Sequence, residues 1–195
     1  CDKKVKALRR CCIDELPNNL IVHLRRFEFD LEILARRKVN EECSFDFTLN
    51  VEPYTKEGIE AKEKKESGKS VEKKHPKEHY DYELTGILVH TGTTDSGHYY
   101  SFIRDKEDSD KWYCFDDRNV KIFSKEDLPY ECFGGTFEKQ KWSASKREYV
   151  TKVYEKHFNA YMLFYEKVHP LRKTSSDSAS IIPQKLYQNI IQDNQ

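Results

Sequence analysis

The chain has 195 residues, of which 37% are hydrophobic, 13% aromatic and 35% charged. Lys and Arg number 34 and Asp and Glu 34, so the formal net charge is zero and there is no overall basic field to draw nucleic acid. No apolar run approaches the roughly 18 residues needed to span a bilayer, and the Lys/Arg-rich start has no apolar stretch behind it to make a secretory signal.

The chain starts without Met and reads as a piece of a longer protein. Its six cysteines (Cys1, Cys11, Cys12, Cys43, Cys114 and Cys132) are irregularly spaced and form no CxxC pair. Reduced thiols in a cytoplasmic or nuclear protein are expected, with no disulfide framework and no zinc site built from this chain alone.

Val5, Leu8 and Cys12 recur at helical spacing and predict a short helix over 3–12, ended by Leu16-Pro17. Leu20, Val22 and Leu24 alternate, and the apolar phase then shifts to Phe27 and Phe29. This predicts a strand over 19–30 with a bulge in it. Residues 31–42 are polar and predict a loop. Cys43, Phe45, Phe47, Leu49 and Val51 keep a period of two and predict a half-buried strand ended by Pro53. The stretch 56–79 holds 8 Lys and 6 Glu with almost nothing apolar, and predicts a solvated or disordered insertion.

Order is expected again from Tyr82. Strands are predicted over 82–90, 98–104 and 111–115, with a short one at Val120–Ile122, and Thr91–Gly97 forms a Gly/Thr/Asp/Ser loop. Ser124–Asp127 resembles a helix start with a capping Ser and acidic first turn. Gly134-Gly135 predicts a turn, 137–156 shows no clear period, and 159–165 predicts a final strand. Residues 174–180 are Ser-rich and linker-like, and 181–191 predict a short amphipathic helix. Antiparallel strands with few helices define the fold class as α+β, with this chain its β-rich half.

Chemistry concentrates between His90 and Val120. A polar turn centred near 107–108 makes cross-strand partners sum to about 214 or 215, which sets His98 opposite Asp116 or Asp117. A carboxylate there would hold the imidazole in one tautomer and stabilise its charged form. Adjacent strand residues face opposite ways, so only one Asp can do this well, and the arithmetic leaves both open. His90 reads as structural, His23 as exposed or capped, and His75, His79, His157 and His169 as solvated. Tyr99, Tyr100 and Phe102 read as core or cleft-lining aromatics.

Four ordered blocks carry a family resemblance. They are Tyr82-Glu-Leu-Thr-Gly-Ile-Leu-Val-His-Thr-Gly92, Ser96-Gly-His-Tyr-Tyr-Ser-Phe102, Lys111-Trp-Tyr-Cys-Phe-Asp-Asp-Arg-Asn-Val120 and Asn159-Ala-Tyr-Met-Leu-Phe-Tyr165. They resemble the His box, Asp box and terminal strand of the ubiquitin-specific proteases. Leu16–Phe27 is similar to the upstream strand, and Cys132-Phe-Gly-Gly135 resembles the large fat-facets-like members. The resemblance covers residues 1–165, with 56–79 as an insertion and 166–195 as a tail or linker.

It implies a papain-like cysteine protease fold, here an incomplete palm and fingers half, and hydrolysis of the isopeptide bond after the ubiquitin C-terminal Gly-Gly. His98 would be the general base and then the acid. Asp116 matches the orienting position and Asp117 its neighbour. Gly97, Tyr99 and Tyr100 would line the substrate channel. The Thr91–Gly97 loop and residues 30–42 resemble two mobile loops over the ubiquitin tail. The implied partners are ubiquitin and ubiquitinated proteins, with no nucleic acid and no membrane.

The family's nucleophile sits in a Gly-Asn-Thr-Cys box that this sequence lacks. Cys11 and Cys12 fall at the C-terminal end of the predicted helix, where the dipole disfavours a thiolate. Cys1 resembles the fourth ligand of a fingers zinc site, so structural zinc would require further upstream cysteines, and no other cofactor is implied. The chain is therefore expected to supply the base and orienting acid of an enzyme whose nucleophile lies elsewhere, and to be inactive alone. The other reading is a non-catalytic ubiquitin-binding module or scaffold that retains the His and Asp.

Overall fold

The computed structural model describes residues 4–169 apart from 7, 8, 33, 69, 71–74, 144 and 146, together with 188 and 192. In chain order the first elements are β1 (Asn19–His23), β2 (Phe27–Asp30), β3 (Ala35–Lys38), β4 (Thr48–Asn50) and α1 (Lys56–Glu66). There follow β5 (Asp81–Gly92), β6 (Gly97–Arg104), β7 (Trp112–Asp116), β8 (Asn119–Phe123) and α2 (Leu128–Cys132). The last are β9 (Thr136–Ser143), β10 (Glu148–Glu155) and β11 (Phe158–Lys167). The main sheet has seven strands in the order β1-β11-β5-β6-β7-β8, with β4 also pairing β5. Two separate ribbons, β2-β3 and β9-β10, complete the architecture of the described residues, and the strands in all three sheets pair antiparallel.

The core lies on one face of the main sheet. Tyr82, Leu84, Ile87 and Val89 of β5, Phe102 of β6, Trp112 and Cys114 of β7 and Leu163 and Tyr165 of β11 are buried there, with Leu128 and Cys132 of α2. The inward phase changes along two neighbouring strands. It passes from Tyr82 and Leu84 to Ile87 and Val89 on β5, and from Ala160 to Leu163 on β11. The pairing register shifts between Ala160 and Met162 and between Phe164 and Tyr165, so irregularities in the ladder keep both strands facing the core through the change.

The strands expected at 82–90, 98–104, 111–115, 120–122 and 159–165 are present with ends shifted by a few residues. Elsewhere the chain departs from expectation. Residues 4–6 and 9–12 are not helical, because Val5 and Cys12 find nothing to pack against and stand exposed. The single strand expected over 19–30 is two strands in different sheets. The chain turns out of the main sheet at Leu24–Arg26, where the Arg26 amide bonds the Leu24 carbonyl. The loop expected over 31–42 contains β3, paired to β2 from Phe27↔Lys38 to Asp30↔Ala35. Only Thr48–Asn50 of the 43–51 segment pairs as strand, although Cys43, Phe45, Phe47 and Leu49 do alternate half-buried. The 137–156 stretch forms the β9-β10 ribbon.

The Lys/Glu-rich stretch opens as a helix. Thr55 caps α1 by accepting from the Gly58 amide at 3.0 Å, and Ala, Lys and Glu are good helix formers. None of its residues is buried, and ion pairs Arg10–Glu63 and Lys56–Asp14 lie along its exposed surface. Residues 174–180 and most of 181–191 fall outside the described residues.

The difference between core and insertion is measurable. Ile87→Ala should destabilise the chain by about 2–5 kcal/mol in urea titration, since a buried branched side chain is lost with partial collapse of its cavity. Glu63→Ala should leave the midpoint unmoved, because its ion pair is exposed on both sides.

Candidate active site

Strand alternation sorts the residues of β6. His98, Tyr100 and Phe102 share the core face, whereas Gly97, Tyr99 and Ile103 point to the opposite face. On β7 the core-facing set is Trp112, Cys114 and Asp116. The β6-β7 register pairs residues that sum to 216, from Arg104↔Trp112 to Ser101↔Phe115. The expected sum of 214 or 215 is therefore corrected. The connecting turn is centred on residue 108, held by Asp105, whose carboxylate accepts from the Glu107 and Asp108 amides. Continued by one step, the register sets Asp116 opposite Tyr100, with His98 diagonally beyond it on the same face.

His98 and Asp116 meet across that diagonal. The Nε2–Oδ1 distance is 2.6 Å, and the side chains are 44% and 48% exposed at the rim of the sheet. Asp117 begins the two-residue turn into β8 with φ +49°, a left-handed conformation that Asp tolerates. That turn brings its carboxylate back, so ligand atoms of His98, Asp116 and Asp117 all lie within 4.8 Å of one another. The Asp116 bond chiefly raises the His98 pKa above its ordinary value, and the charges of Asp117 and Asp116 add to the rise against partial desolvation. A carboxylate on Nε2 keeps a proton there and leaves Nδ1 as the basic nitrogen.

The three groups are close enough to suggest a metal, but their spacing is that of a hydrogen bond. Two ligands about 2.1 Å from one tetrahedral ion stand roughly 3.4 Å apart, wider than the Nε2–Oδ1 contact. Cys1 lies outside the described residues. The fingers zinc site implied by resemblance is not built by the residues present, since a single thiolate does not close a tetrahedral site.

Behind β6 the opposite face carries a cleft of about 500 Å³. One wall is the β2-β3 ribbon, with Phe27, Glu28, Phe29 and Arg36. The other is the turn 93–96, shorter than the expected Thr91–Gly97 loop and closed by the Thr93 amide on the Ser96 carbonyl. Gly97, His90 and Tyr99 form the base. His90 stacks edge-on to Phe27 at 5.1 Å and tilts against Tyr99 at 4.7 Å between ring centroids. Burial, with Lys38 nearby, pushes the His90 pKa down, so the ring is neutral near pH 7. A Cβ on Gly97 would overlap the His90 ring, which explains glycine at this position.

Gly97 and Tyr99 therefore line one cleft, but Tyr100 does not join them. It faces α2, donates its hydroxyl to Glu131 at 3.1 Å, and is held in the protonated form by burial. His23 is exposed against Tyr161. Four of the described thiols are set apart from the role of a partner to His98 by burial or by distance. Burial pushes the Cys114 and Cys132 pKa values up within the core. Cys11 and Cys12 adjoin Ile13, which bridges Thr55 near the Asp81 end of β5, whereas His98 pairs with Thr91. Ten strand residues separate those ends, roughly 30 Å. Distance thus replaces the helix dipole as the ground against these two cysteines, since residues 9–12 are not helical.

Among the described residues Arg26, Lys38, Lys156 and Lys167 are buried cations that the sequence does not mark, and the first two each bind several backbone carbonyls. Arg26, 3% exposed, donates to the carbonyls of Ala160, Val39, Glu41 and Phe133. Lys38, 9% exposed, donates to those of His90 at 3.0 Å, Gly92 at 3.3 Å and His157 at 2.7 Å. Burial, aided by Arg26, pushes the Lys38 pKa down to about 8, so it is charged at neutral pH. Nothing in the run Arg36-Arg37-Lys38 marks the third residue as buried.

A mostly antiparallel sheet with few helices, carrying a carboxylate-bound imidazole at its rim, has the α+β, papain-like architecture of a cysteine protease domain. The family model for ubiquitin carboxyl-terminal hydrolase matches residues 1–165, and the chain belongs to that family. It is similar to human ubiquitin carboxyl-terminal hydrolase 34, 36% identical over 201 residues, which takes in 100% of this chain and 6% of that protein. It is also similar to the Drosophila melanogaster probable ubiquitin carboxyl-terminal hydrolase FAF, 37% identical over 175 residues, 86% of this chain and 6% of that protein. The chain thus spans a small part of either relative. Among solved structures, a SAGA DUB module bound to monoubiquitin matches with TM-score 0.51 and 26% identity, over 81% of this chain and 25% of that chain.

The His98 environment predicts a titration. Followed by NMR on this chain, the imidazole should titrate above its ordinary value of about 6.5, and Asp116→Asn should lower the midpoint. An unchanged midpoint in that variant would remove the hydrogen bond as the cause of the shift.

Proposed function

We propose that this chain is the acid–base half of a cysteine-type deubiquitinase that hydrolyses the isopeptide bond after the C-terminal Gly-Gly of ubiquitin. The observation that carries the reading is the 2.6 Å His98–Asp116 contact, which leaves Nδ1 of a half-exposed ring free to face a thiol. In this mechanism His98 takes the thiol proton, and Asp116, with Asp117 close by, stabilises the imidazolium against the thiolate.

The thiolate attacks the Gly carbonyl carbon. The C–N bond then breaks, and His98 returns the proton to the departing lysine amine. Water, deprotonated by His98, attacks the thioester, and the thiol and the ubiquitin carboxylate are released. On this reading the nucleophile comes from outside the described thiols: Cys114 and Cys132 are buried in the core, Cys11 and Cys12 lie at the far end of β5, and the half-buried Cys43 is tied by its amide to the Phe133 carbonyl after α2.

The cleft between the β2-β3 ribbon and the 93–96 turn supports this substrate assignment. Its base includes Gly97, the residue immediately before His98, and it is narrowed by the rings of Phe27 and Tyr99. A tail ending in two glycines enters such a space without side chains to clash. Ubiquitin conjugates are the corresponding partners, as the monoubiquitin-bound neighbour suggests.

The test uses the full-length protein that carries these residues and a ubiquitin bearing a C-terminal electrophile. Wild type should be labelled covalently. His98→Ala should lose at least about 100-fold in rate, the usual scale of a lost general base, and Asp116→Asn should be slowed less. Full labelling of His98→Ala would refute the base assignment, and a wild-type protein that binds ubiquitin but never labels would favour a non-catalytic ubiquitin module.

A further inference from the structure

The two walls of the cleft are not joined by strand pairing. Among the described residues, strands β2 and β3 pair only with each other, whereas the 93–96 turn belongs to the β5-β6 hairpin of the main sheet. Something else must set the separation of the walls. The ring contact of Phe27 with His90 is one tie, but aromatic edges slide against each other at little cost. The directional tie is Lys38, the last residue of β3. Its ammonium reaches from the ribbon to the end of β5, where it binds the His90 and Gly92 carbonyls, and to the β10-β11 turn, where it binds that of His157. The His157 carbonyl also accepts from the Gly92 amide at 2.9 Å. The three acceptors therefore form one knot at the foot of the 93–96 turn.

We propose that Lys38 is a positioning residue of the active site: by holding the β2-β3 ribbon to the foot of the 93–96 turn, it fixes the width of the substrate cleft and the path by which Gly97 and His98 leave that turn. The role rests on the deubiquitinase reading of the cleft, but its geometric part is independent of it. A buried cation with three carbonyl acceptors makes charge-assisted bonds that are directional, and removing the cation takes a charged donor from all three, although the His157 carbonyl keeps the Gly92 amide. Arg26, the neighbouring buried cation, cannot substitute. Its donors go to Ala160, Val39, Glu41 and Phe133, which anchor the base of the ribbon rather than the turn. The other groups whose charge couples to Lys38 are Glu155 from β10 and His90 from β5.

The experiment compares wild type, Lys38→Met and Lys38→Arg in the full-length protein by two measurements. Hydrogen–deuterium exchange read by mass spectrometry should show Lys38→Met at least about tenfold faster in peptides covering 34–39, 90–98 and 156–158, and unchanged elsewhere in the main sheet. Lys38→Arg, which keeps the charge and the donors, should restore most of the protection. In labelling by the ubiquitin electrophile, Lys38→Met should raise the half-saturating concentration about tenfold or more with less than a threefold fall in maximal rate, the mark of a misplaced cleft rather than a lost base.

Faster exchange throughout the chain would show ordinary loss of stability and overturn the proposal. So would unchanged exchange at 90–98, a Lys38→Arg variant no better than Lys38→Met, or a fall in maximal rate with half-saturation unmoved. If wild type fails to label at all, the deubiquitinase reading falls, and the exchange pattern by itself decides whether Lys38 sets the cleft.

Discussion

A β-strand sends successive side chains to opposite faces, and the function proposed for this chain depends on how β6 uses that constraint over three residues. Gly97 and Tyr99 face the cleft beside His90, while His98 between them faces the core side and meets Asp116. In the proposed function, chemistry and substrate seat would thereby be held on one strand but on opposite sides of it. A slip of one residue in the β5-β6 register would exchange the two sides and present the aromatic ring where the base should be. Long pairing from Gly86↔Ile103 to Gly92↔Gly97 guards against that slip.

Rigidity at this rim comes less from apolar burial than from cations buried against backbone carbonyls. Arg26 and Lys38 together satisfy carbonyls of β11, β5, the 39–41 segment, the residue after α2 and the β10-β11 turn. Isolated buried cations are costly, but each of these has several acceptors, the condition under which such burial is tolerated. Gly134 and Gly135 complete the arrangement. Both have φ near +80°, and the Gly135 amide bonds the Asn40 carbonyl at 2.7 Å, tying the turn after α2 to the exit of the β2-β3 ribbon. A Cβ on Gly134 would come within 2.8 Å of that same carbonyl oxygen, which gives a physical reason for the Gly-Gly pair.

The sheet is readable where one face is buried and the other is not, as in Ser96–Phe102, or where the run holds a short apolar stretch, as Ile87–Val89 does within Tyr82–His90. It is unreadable where side chains answer to something other than a core. The β9-β10 ribbon packs mainly on itself through Phe137 with Tyr154 and Trp142 with Tyr149, so neither face shows a clean period. Residues 56–66 look like a disordered charge run by composition, yet the Thr55 cap and good helix formers were a signal for α1. Family-like blocks pointed to His98, Asp116 and Asp117, and these come together. The sequence leaves Tyr100 open between core and cleft because it does not show that α2 covers its face, and it hides Lys38 because a buried lysine and a solvated one look alike in a run of three basic residues.

The half-exposed state of the His98–Asp116 pair bears on how such a pair works. In contact with water, solvent screens the carboxylate's hold on the ring, and the pair resembles a surface ion pair in strength. Desolvation already opposes the rise in the His98 pKa, while Asp116 and Asp117 promote it. Covering the rim with a segment that carries a thiol would increase both effects at once. The single charge on the ring would be harder to bury, and the two nearby carboxylates would stabilise it more strongly as the local dielectric falls. With two acids and one base, the balance favours the imidazolium, which is the form that must stand beside a thiolate. On the proposed reading, Asp117 folding back in the β7-β8 turn would do more than duplicate Asp116: it would supply a second negative charge favouring the imidazolium once water is excluded.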